Sequence, residues 1–215
     1  MLRNPEKFGQ RYRDRLVFAT FVTGTDYVQA SRMRRELTAE MLGLLSQVDV
    51  VLTAGSPDEA PLIENVSRWE NVEKPNFTMA FNLTGLPAVC VPSGFGPNGM
   101  PVSIQLAAKP FAEGTLLRAA HAYEKATPWR TRRPQLDPDA EFSTVLSLVP
   151  DPEPAQIDPA TRERVAINCR AAGLTLSDRQ FDMACAAAPY VIAMTGRLYR
   201  NRAYSEEPAN IFRFG

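Results

Sequence analysis

Phe81-Asn82-Leu83-Thr84-Gly85-Leu86-Pro87-Ala88-Val89-Cys90-Val91-Pro92-Ser93-Gly94-Phe95-Gly96, followed by Pro97-Asn98-Gly99-Met100-Pro101-Val102-Ser103-Ile104-Gln105-Leu106, decides the fold. Asn82 to Gly85 reads as the end of a helix, because glycine accepts a left-handed C-terminal cap without a Cβ penalty. Pro87 bars the helix from continuing. Ala88 to Val91 is a short apolar run between prolines, the pattern of a strand buried on both faces. Pro97-Asn98-Gly99 is a hairpin signal. Val102, Ile104 and Leu106 then alternate with Ser103 and Gln105, as in a strand with one face in the core. The unit is helix, buried strand, tight loop, second strand.

Working outward, residues 5–22 read as a helix entered through Pro5, with Phe8, Tyr12, Leu16 and Phe18 as its apolar positions. Thr23-Gly24-Thr25 breaks it. Thr25 can cap the next helix, whose first turn holds Asp26 as the helix dipole prefers. That helix runs to about Gln47, with Tyr27, Val28, Met33, Leu37, Met41, Leu44 and Leu45 forming one buried stripe. Val48 to Thr53 is a short buried strand. Residues 54–75 form a long surface loop rich in Pro, Gly, Ser, Asp and Glu. Phe111 to Lys125 is an amphipathic helix with Leu116, Leu117, Ala120 and Tyr123 inward. Thr127 to Pro134 leads away from the core.

Residues 137–156, with Pro138, Pro150, Pro152 and Pro154, read as an extended linker. Two helices follow, Ala160–Ala172 and Ser177–Asn201. Ser177 caps the second, and Pro189 is expected to kink or split it. The domain reading is therefore 1–136, a linker over 137–156, and a helical extension over 157–215.

Composition sets bounds. Among 215 residues, 45% are hydrophobic, enough for a real core. Lys+Arg and Asp+Glu both number 24, so no global field steers the chain to nucleic acid or membrane. Arg32, Arg34 and Arg35, and Arg130, Arg132 and Arg133, read as solvated faces or loop anchors. Cys90, Cys169 and Cys185 give an odd count without close spacing, which argues against a disulfide framework. No apolar run approaches a membrane span, and the charged start lacks a secretory core. The expected compartment is the cytoplasm.

A search for self-contained chemistry returns nothing. His121, the one histidine, sits on a helix and reads as structural. Gly94-Phe95-Gly96 has no serine between its glycines and is no nucleophile elbow, and Ser93 reads as structural. Gly94-x-Gly96-x-x-Gly99 sits in a hairpin and opens no helix for a pyrophosphate. No cluster has metal-ligand spacing. No cofactor or metal is expected.

The quoted stretch resembles the amidase signature family, serine hydrolases that cleave carboxamides. The resemblance covers roughly Pro5 to Leu136. Tyr27-Val28-Gln29-Ala30 with Arg32 and Arg34 is similar to the family's helix before its D-x-L-x-x-P strand, and Asp49 to Thr53 is similar to that strand. Glu124 and Trp129-Arg130-Thr131-Arg132-Arg133-Pro134 resemble the close of its domain. Two departures stand out. Ala54-Gly55 replaces the proline usual after the strand, and Ser103 replaces a glycine common in the G-L-P-x-G-x-Q pattern.

The resemblance implies an α/β fold, the C-terminal part of the family's mixed sheet with helices around it, plus a small helical segment. It implies hydrolysis by a Ser–cis-Ser–Lys triad with backbone amides holding the oxyanion. The lysine-bearing strand and Gly-Gly-Ser-Ser-Gly-Gly segment that carry that triad do not occur in this sequence. Lys74 and Lys109 have no Ser-Ser pair to serve, so no catalytic residue is assigned. The chain reads as a fragment, the C-terminal portion of an amidase, starting inside the fold. Arg15 aligns with an arginine that faces the substrate carboxylate in glutamine-using relatives, and a guanidinium suits that role. A salt bridge from Arg15 to Asp14 or Glu36 is the alternative. Asn82 and Thr84 hold the helix end. Residues 157–212 loosely resemble the small helical C subunit of tRNA-dependent amidotransferases, through Ala171 to Leu176 and Glu207 to Phe212; an ordinary helical extension is the equal alternative.

Three readings follow. The first is an amide hydrolase completed by an upstream catalytic half or partner subunit, with a small amide as substrate. The second is a non-catalytic assembly or truncated subunit binding an amidase, whose strands 48–53 and 87–92 would expose sheet edges. The third is the A subunit of a tRNA-dependent amidotransferase. A homodimer stays open; no membrane and no direct nucleic-acid contact are expected.

Overall fold

The structure is a computed structural model that describes residues 7–62, 65, 66, 69, 76–134, 139, 157–198, 200 and 201. The helix entry expected at Pro5, the linker of 137–156 apart from Asp139, Lys74, and the Glu207–Phe212 ending lie outside the described residues. The chain forms two compact units. One draws on Met1–Met33, Arg68–Glu73 and Pro150–Gly215, the other on Arg34–Ser67 and Lys74–Val149.

In the first unit, α1 (Gln10–Leu16) passes into a 3-10 turn (Val17–Phe21), not the single long helix expected. Phe21 is its buried anchor, while Tyr12 stacks on Phe8 at 5.8 Å and stays largely exposed. α2 (Gly24–Leu45) starts in this unit. Its cap is Thr23, not Thr25. The Asp26 N–H donates to Thr23 Oγ1 at 3.1 Å, and the Thr23 N–H donates to Asp26 Oδ2 at 2.9 Å. This reciprocal box spends the aspartate on the cap itself.

The C-terminal helices belong to the same unit. Asp158 Oδ1 accepts from the Thr161 N–H at 2.9 Å, and Pro159 follows in the first turn, where its missing N–H costs nothing. That cap opens α5 (Pro159–Ala171), and Ser177 opens α6 (Asp178–Gly196). Ser177 and Gln180 form a full capping box, with the serine in the expected place. Pro189 does not split α6, which runs through it. Met183 to Ala188 are all buried, and this small, alanine-rich stretch packs closely enough to hold the helix despite the missing N–H. Cys169, Cys185, Val165, Val191 and Phe21 form one core, and Trp69 closes a second around Met183 and Ala187.

The second unit is a sheet between helices. β2 (Ala88–Phe95) and β3 (Pro101–Ala108) form the expected hairpin, and β1 (Val50–Ala54) pairs with the far side of β3. The strand order is β1-β3-β2, antiparallel throughout. α3 (Met79–Thr84) ends as expected at Gly85, whose φ of 76° is left-handed and whose N–H donates to Phe81 O at 2.9 Å. α4 (Glu113–Ala126) covers one sheet face with Leu116 and Ala120 against Val91, Leu106 and Ala108. Leu45 at the end of α2, with Phe81 and Leu86, covers Ala107 on the other. Each such large apolar side chain contributes about 2 kcal/mol.

Several expectations change here. β3 is covered on both faces at its end, because α4 lies on one face and Leu45, Phe81 and Leu86 lie on the other. β2 and β1, expected to be buried, are the two outer strands and are only partly covered. The α2 stripe is not buried as a whole: Tyr27 is 70% exposed, and Leu37 and Leu44 are also exposed. Leu117 is exposed too, since Leu116, Ala120 and Tyr123 define the packed side of α4. The chain after α4 leaves the core as expected but stays against the end of β2. Trp129 meets the Phe95 ring edge-on at 6.3 Å, and the Arg132 guanidinium lies 5.4 Å from the Trp129 ring centre.

Candidate functional site

The polar groups of the second unit gather on the sheet face beneath α3. Thr53, Gln105 and Cys90 stand in one row across the three strands, by the register Thr53↔Gln105↔Cys90. Gln105 is only 3% exposed. Its Nε2 donates to Thr53 Oγ1 at 3.2 Å and to Phe77 O at 3.3 Å, just ahead of α3. The Cys90 thiol points at Gln105 Oε1 from 4.0 Å. Burial of this amide is possible because its donors are satisfied by neighbours. The alternation in β3 marks Gln105 as a solvent-side residue; the segment of Phe77 and α3 lying over that face makes it interior.

The next row holds Gly55, of the Ala54-Gly55 departure, and Ser103, the other departure. The Gly55 N–H donates to Ser103 O at 2.8 Å, extending the β1–β3 ladder by one residue. A Cβ at Gly55 would lie 2.1 Å from Ser103 Oγ. The hydroxyl therefore occupies the space that a side chain at 55 would need. Gly55 and Ser103 are therefore a complementary pair.

The loop after β1 is tied to the hairpin by Glu59. Its Oε1 accepts from the Asn98 N–H at 3.0 Å and from Asn98 Nδ2 at 2.5 Å, and its Oε2 accepts from the Met100 N–H at 3.1 Å. Sequence reasoning missed this contact, since nothing local links residue 59 to 98. Ser93 is not in a loop: it is the extra residue of a bulge in β2 between Pro92 and Gly94. Thr84 Oγ1 donates to Ala80 O at 2.8 Å and holds the helix end, while Asn82 is exposed. Arg34 Nε donates to Leu83 O at 2.5 Å, in the last turn of α3, where a solvated face or a loop anchor was expected.

In the first unit Arg15 lies half-buried on α1. Its neighbour Asp14 is buried and takes both guanidinium nitrogens of Arg179, at 3.3 and 3.2 Å. Arg13, Asp14, Ser177, Arg179 and Gln180 line an open cleft of about 240 Å³. Asp26 accepts from Thr23 and from Arg200, the latter at 2.5 Å. The Thr23 backbone N–H and hydroxyl, then Arg200, hold its carboxyl below the ordinary value. Burial pushes the Cys169 and Cys185 thiols up, away from nucleophilic use.

Chemically, the row of hydroxyl, amide and thiol can position and hydrogen-bond a polar group. It contains no base. His121 is exposed on α4. Among the described residues, no group of His, Cys, Asp and Glu is placed to hold a metal ion, and no helix is long and apolar enough to cross a membrane.

Comparison with known proteins gives the family. The chain is 33% identical over 144 residues to the A subunit of glutamyl-tRNA(Gln) amidotransferase from Ralstonia nicotianae, covering 60% of this chain and 28% of that protein. It is 32% identical over 136 residues to the corresponding protein of Neisseria gonorrhoeae, with the same shares. Among solved structures it is similar to the A subunit of glutamyl-tRNA(Gln) amidotransferase from Thermotoga maritima, at 35% identity and a TM-score of 0.43, covering 56% of this chain and 28% of that one. The chain thus spans little more than a quarter of the length of these relatives. The Amidase family model matches residues 4–117, which take in the quoted stretch and the polar row, and the chain belongs to that family.

Proposed function

We propose that this chain is the substrate-side, non-catalytic portion of an amide hydrolase, converting a carboxamide to a carboxylate and ammonia or an amine only when a catalytic half completes it. One observation carries the reading. The family match includes the whole sheet and its buried Gln105 row, yet the sequence contains no Gly-Gly-Ser-Ser-Gly-Gly segment. A sheet face of satisfied polar groups without a base supports positioning, not bond cleavage. Arg15 remains the residue proposed to meet a substrate carboxylate. The same reading takes the cytoplasm as the compartment and uses no cofactor.

The A-subunit reading is the second. It is favoured by the sequence relatives, which are named as amidotransferase subunits and so act with partner subunits. The test is ammonia release from glutamine and from simple carboxamides. The purified chain alone should release none, and addition of a catalytic half should restore release. Activity of the chain alone would overturn the proposal. Glutamine hydrolysis that requires a charged tRNA would favour the second reading.

A further inference from the structure

The hairpin turn between β2 and β3 is closed by its own backbone. The Gly99 N–H donates to Gly96 O at 3.0 Å, and the Gly96 N–H donates to Met100 O at 2.9 Å. Gly99 holds a φ of 78°, a conformation that glycine adopts without steric cost. On either side of it, the backbone N–H groups of Asn98 and Met100 turn toward the same carboxylate. Backbone N–H groups converging from a turn of this kind form a nest, a concavity that binds anions.

The nest is filled from within the chain. Each Glu59 oxygen has its own backbone donor, Asn98 for Oε1 at 3.0 Å and Met100 for Oε2 at 3.1 Å, and Asn98 Nδ2 adds a further bond to Oε1. One donor set per oxygen suits a planar carboxylate. The carboxylate also uses the space left by the absent side chain at Gly96. A Cβ there would lie 2.5 Å from Glu59 Oε2 and 2.6 Å from Glu59 Cδ. Glu59 reaches the turn on the loop after β1, where Ser56, Pro57 and Asp58 are exposed and Glu59 itself is partly buried. That approach is ordered by bonds within the loop, from Ser56 Oγ to Asp58 O at 2.6 Å and from the Glu59 N–H to Asp58 Oδ1 at 2.8 Å.

We infer that the Gly96–Met100 turn is a binding site for a small carboxylate, with Glu59 as its built-in occupant and residues 56–60 as the strap that masks it. The turn's own hydrogen bonds keep both N–H groups aimed when the strap lifts, and the space over Gly96 is then open to a free carboxylate. A carboxylate in solution competes with Glu59, so its apparent affinity falls with the fraction of time that the strap is open.

The test follows the amide signals of Asn98 and Met100 by NMR in the full chain while sodium acetate is added, with sodium chloride at equal ionic strength as reference. In Glu59→Ala both signals should move saturably with acetate and stay still with chloride. In the unchanged chain the same movement should need about tenfold more acetate, or more. Gly96→Ala keeps both backbone bonds of the turn but puts a methyl group where the carboxylate sits. Added to Glu59→Ala, it should abolish the response. Glu59→Gln is a second opened form. It keeps an acceptor for Asn98 but sets an amide N–H against the Met100 N–H, so Met100 should exchange faster while Asn98 stays protected. The β3 signals of Val102 and Ile104 should not respond to acetate in any variant.

Movement that chloride reproduces, or a response that survives Gly96→Ala, would overturn the inference. So would equal acetate sensitivity with and without Glu59, which would remove the strap. The absence of any acetate response in Glu59→Ala would overturn it if that variant folds. If it does not, exchange at Met100 as slow in Glu59→Gln as in the unchanged chain would do the same.

Discussion

Gly55→Ala would place a methyl group 2.1 Å from Ser103 Oγ, 3.0 Å from Ser103 O and 3.1 Å from Ser103 Cβ. Rotation of the Ser103 side chain can relieve the first contact but not the other two. Overpacking of this kind costs about 1–3 kcal/mol. Loss of chain freedom in the unfolded state offsets about 0.4–1 kcal/mol, because Gly55 does not need a positive φ. The net expectation is destabilisation by about 1–2 kcal/mol. Ser103→Gly removes the hydroxyl and its Cβ at a cost of about 1 kcal/mol, from a glycine placed inside a strand. In that background only the contact with the backbone oxygen of residue 103 remains, so Gly55→Ala should cost clearly less than it does alone. A urea-unfolding double-mutant cycle, paired with hydrogen exchange at the β3 amides, reads the coupling. Coupling of about 1–2 kcal/mol is expected. Additivity within about 0.5 kcal/mol would refute the view that the two positions compensate.

Glu59→Ala should free the Asn98 and Met100 amides and lower hairpin stability by about 1–2 kcal/mol, seen as faster exchange at those two amides. Asp14→Asn should remove the charge from its side of the Asp14–Arg179 pair and lower the urea midpoint by the equivalent of about 2 kcal/mol, a figure reduced from that of a fully buried pair because Arg179 is partly exposed. Asp26 has a folded value held below its ordinary 3.8, so its stabilisation is present above that value and is lost as pH falls through the lowered one. Asp26→Asn should therefore flatten the fall in stability measured between about pH 5 and pH 2. In the native chain, a thiol reagent should modify exposed Cys90 quickly and spare Cys169 and Cys185, with all three reacting in denaturant.

Local chemistry was legible in the sequence. Gly85, the Pro97-Asn98-Gly99 turn and the Ser177 cap each act within a few residues, and the structure has all three where the pattern put them. Thr23 against Thr25 shows the limit even there: two hydroxyls compete for one cap, and the reciprocal bond with Asp26 decides. Burial was less legible, because periodicity reports which side chains share a face but not what covers it. Leu37 and Gln105 changed places with expectation for this reason. The complementarity of Gly55 and Ser103 cannot be read without the strand register, although each stands out alone as a departure from the family pattern. The Asp14–Arg179 pair joins positions too distant for any window of sequence to connect.

That pair has a consequence for how the chain is made. Asp14 waits for Arg179, and Asp26 for Arg200, so the first unit ties α1 and the start of α2 to residues 165 and 174 positions later. The sheet and its covering helices, by contrast, draw on a continuous central stretch. During synthesis the sheet can form before Arg179 and Arg200 have been added to the chain, and the first unit must close last. The ribosome would present the middle of this chain folded before the segment ahead of it has found its partner.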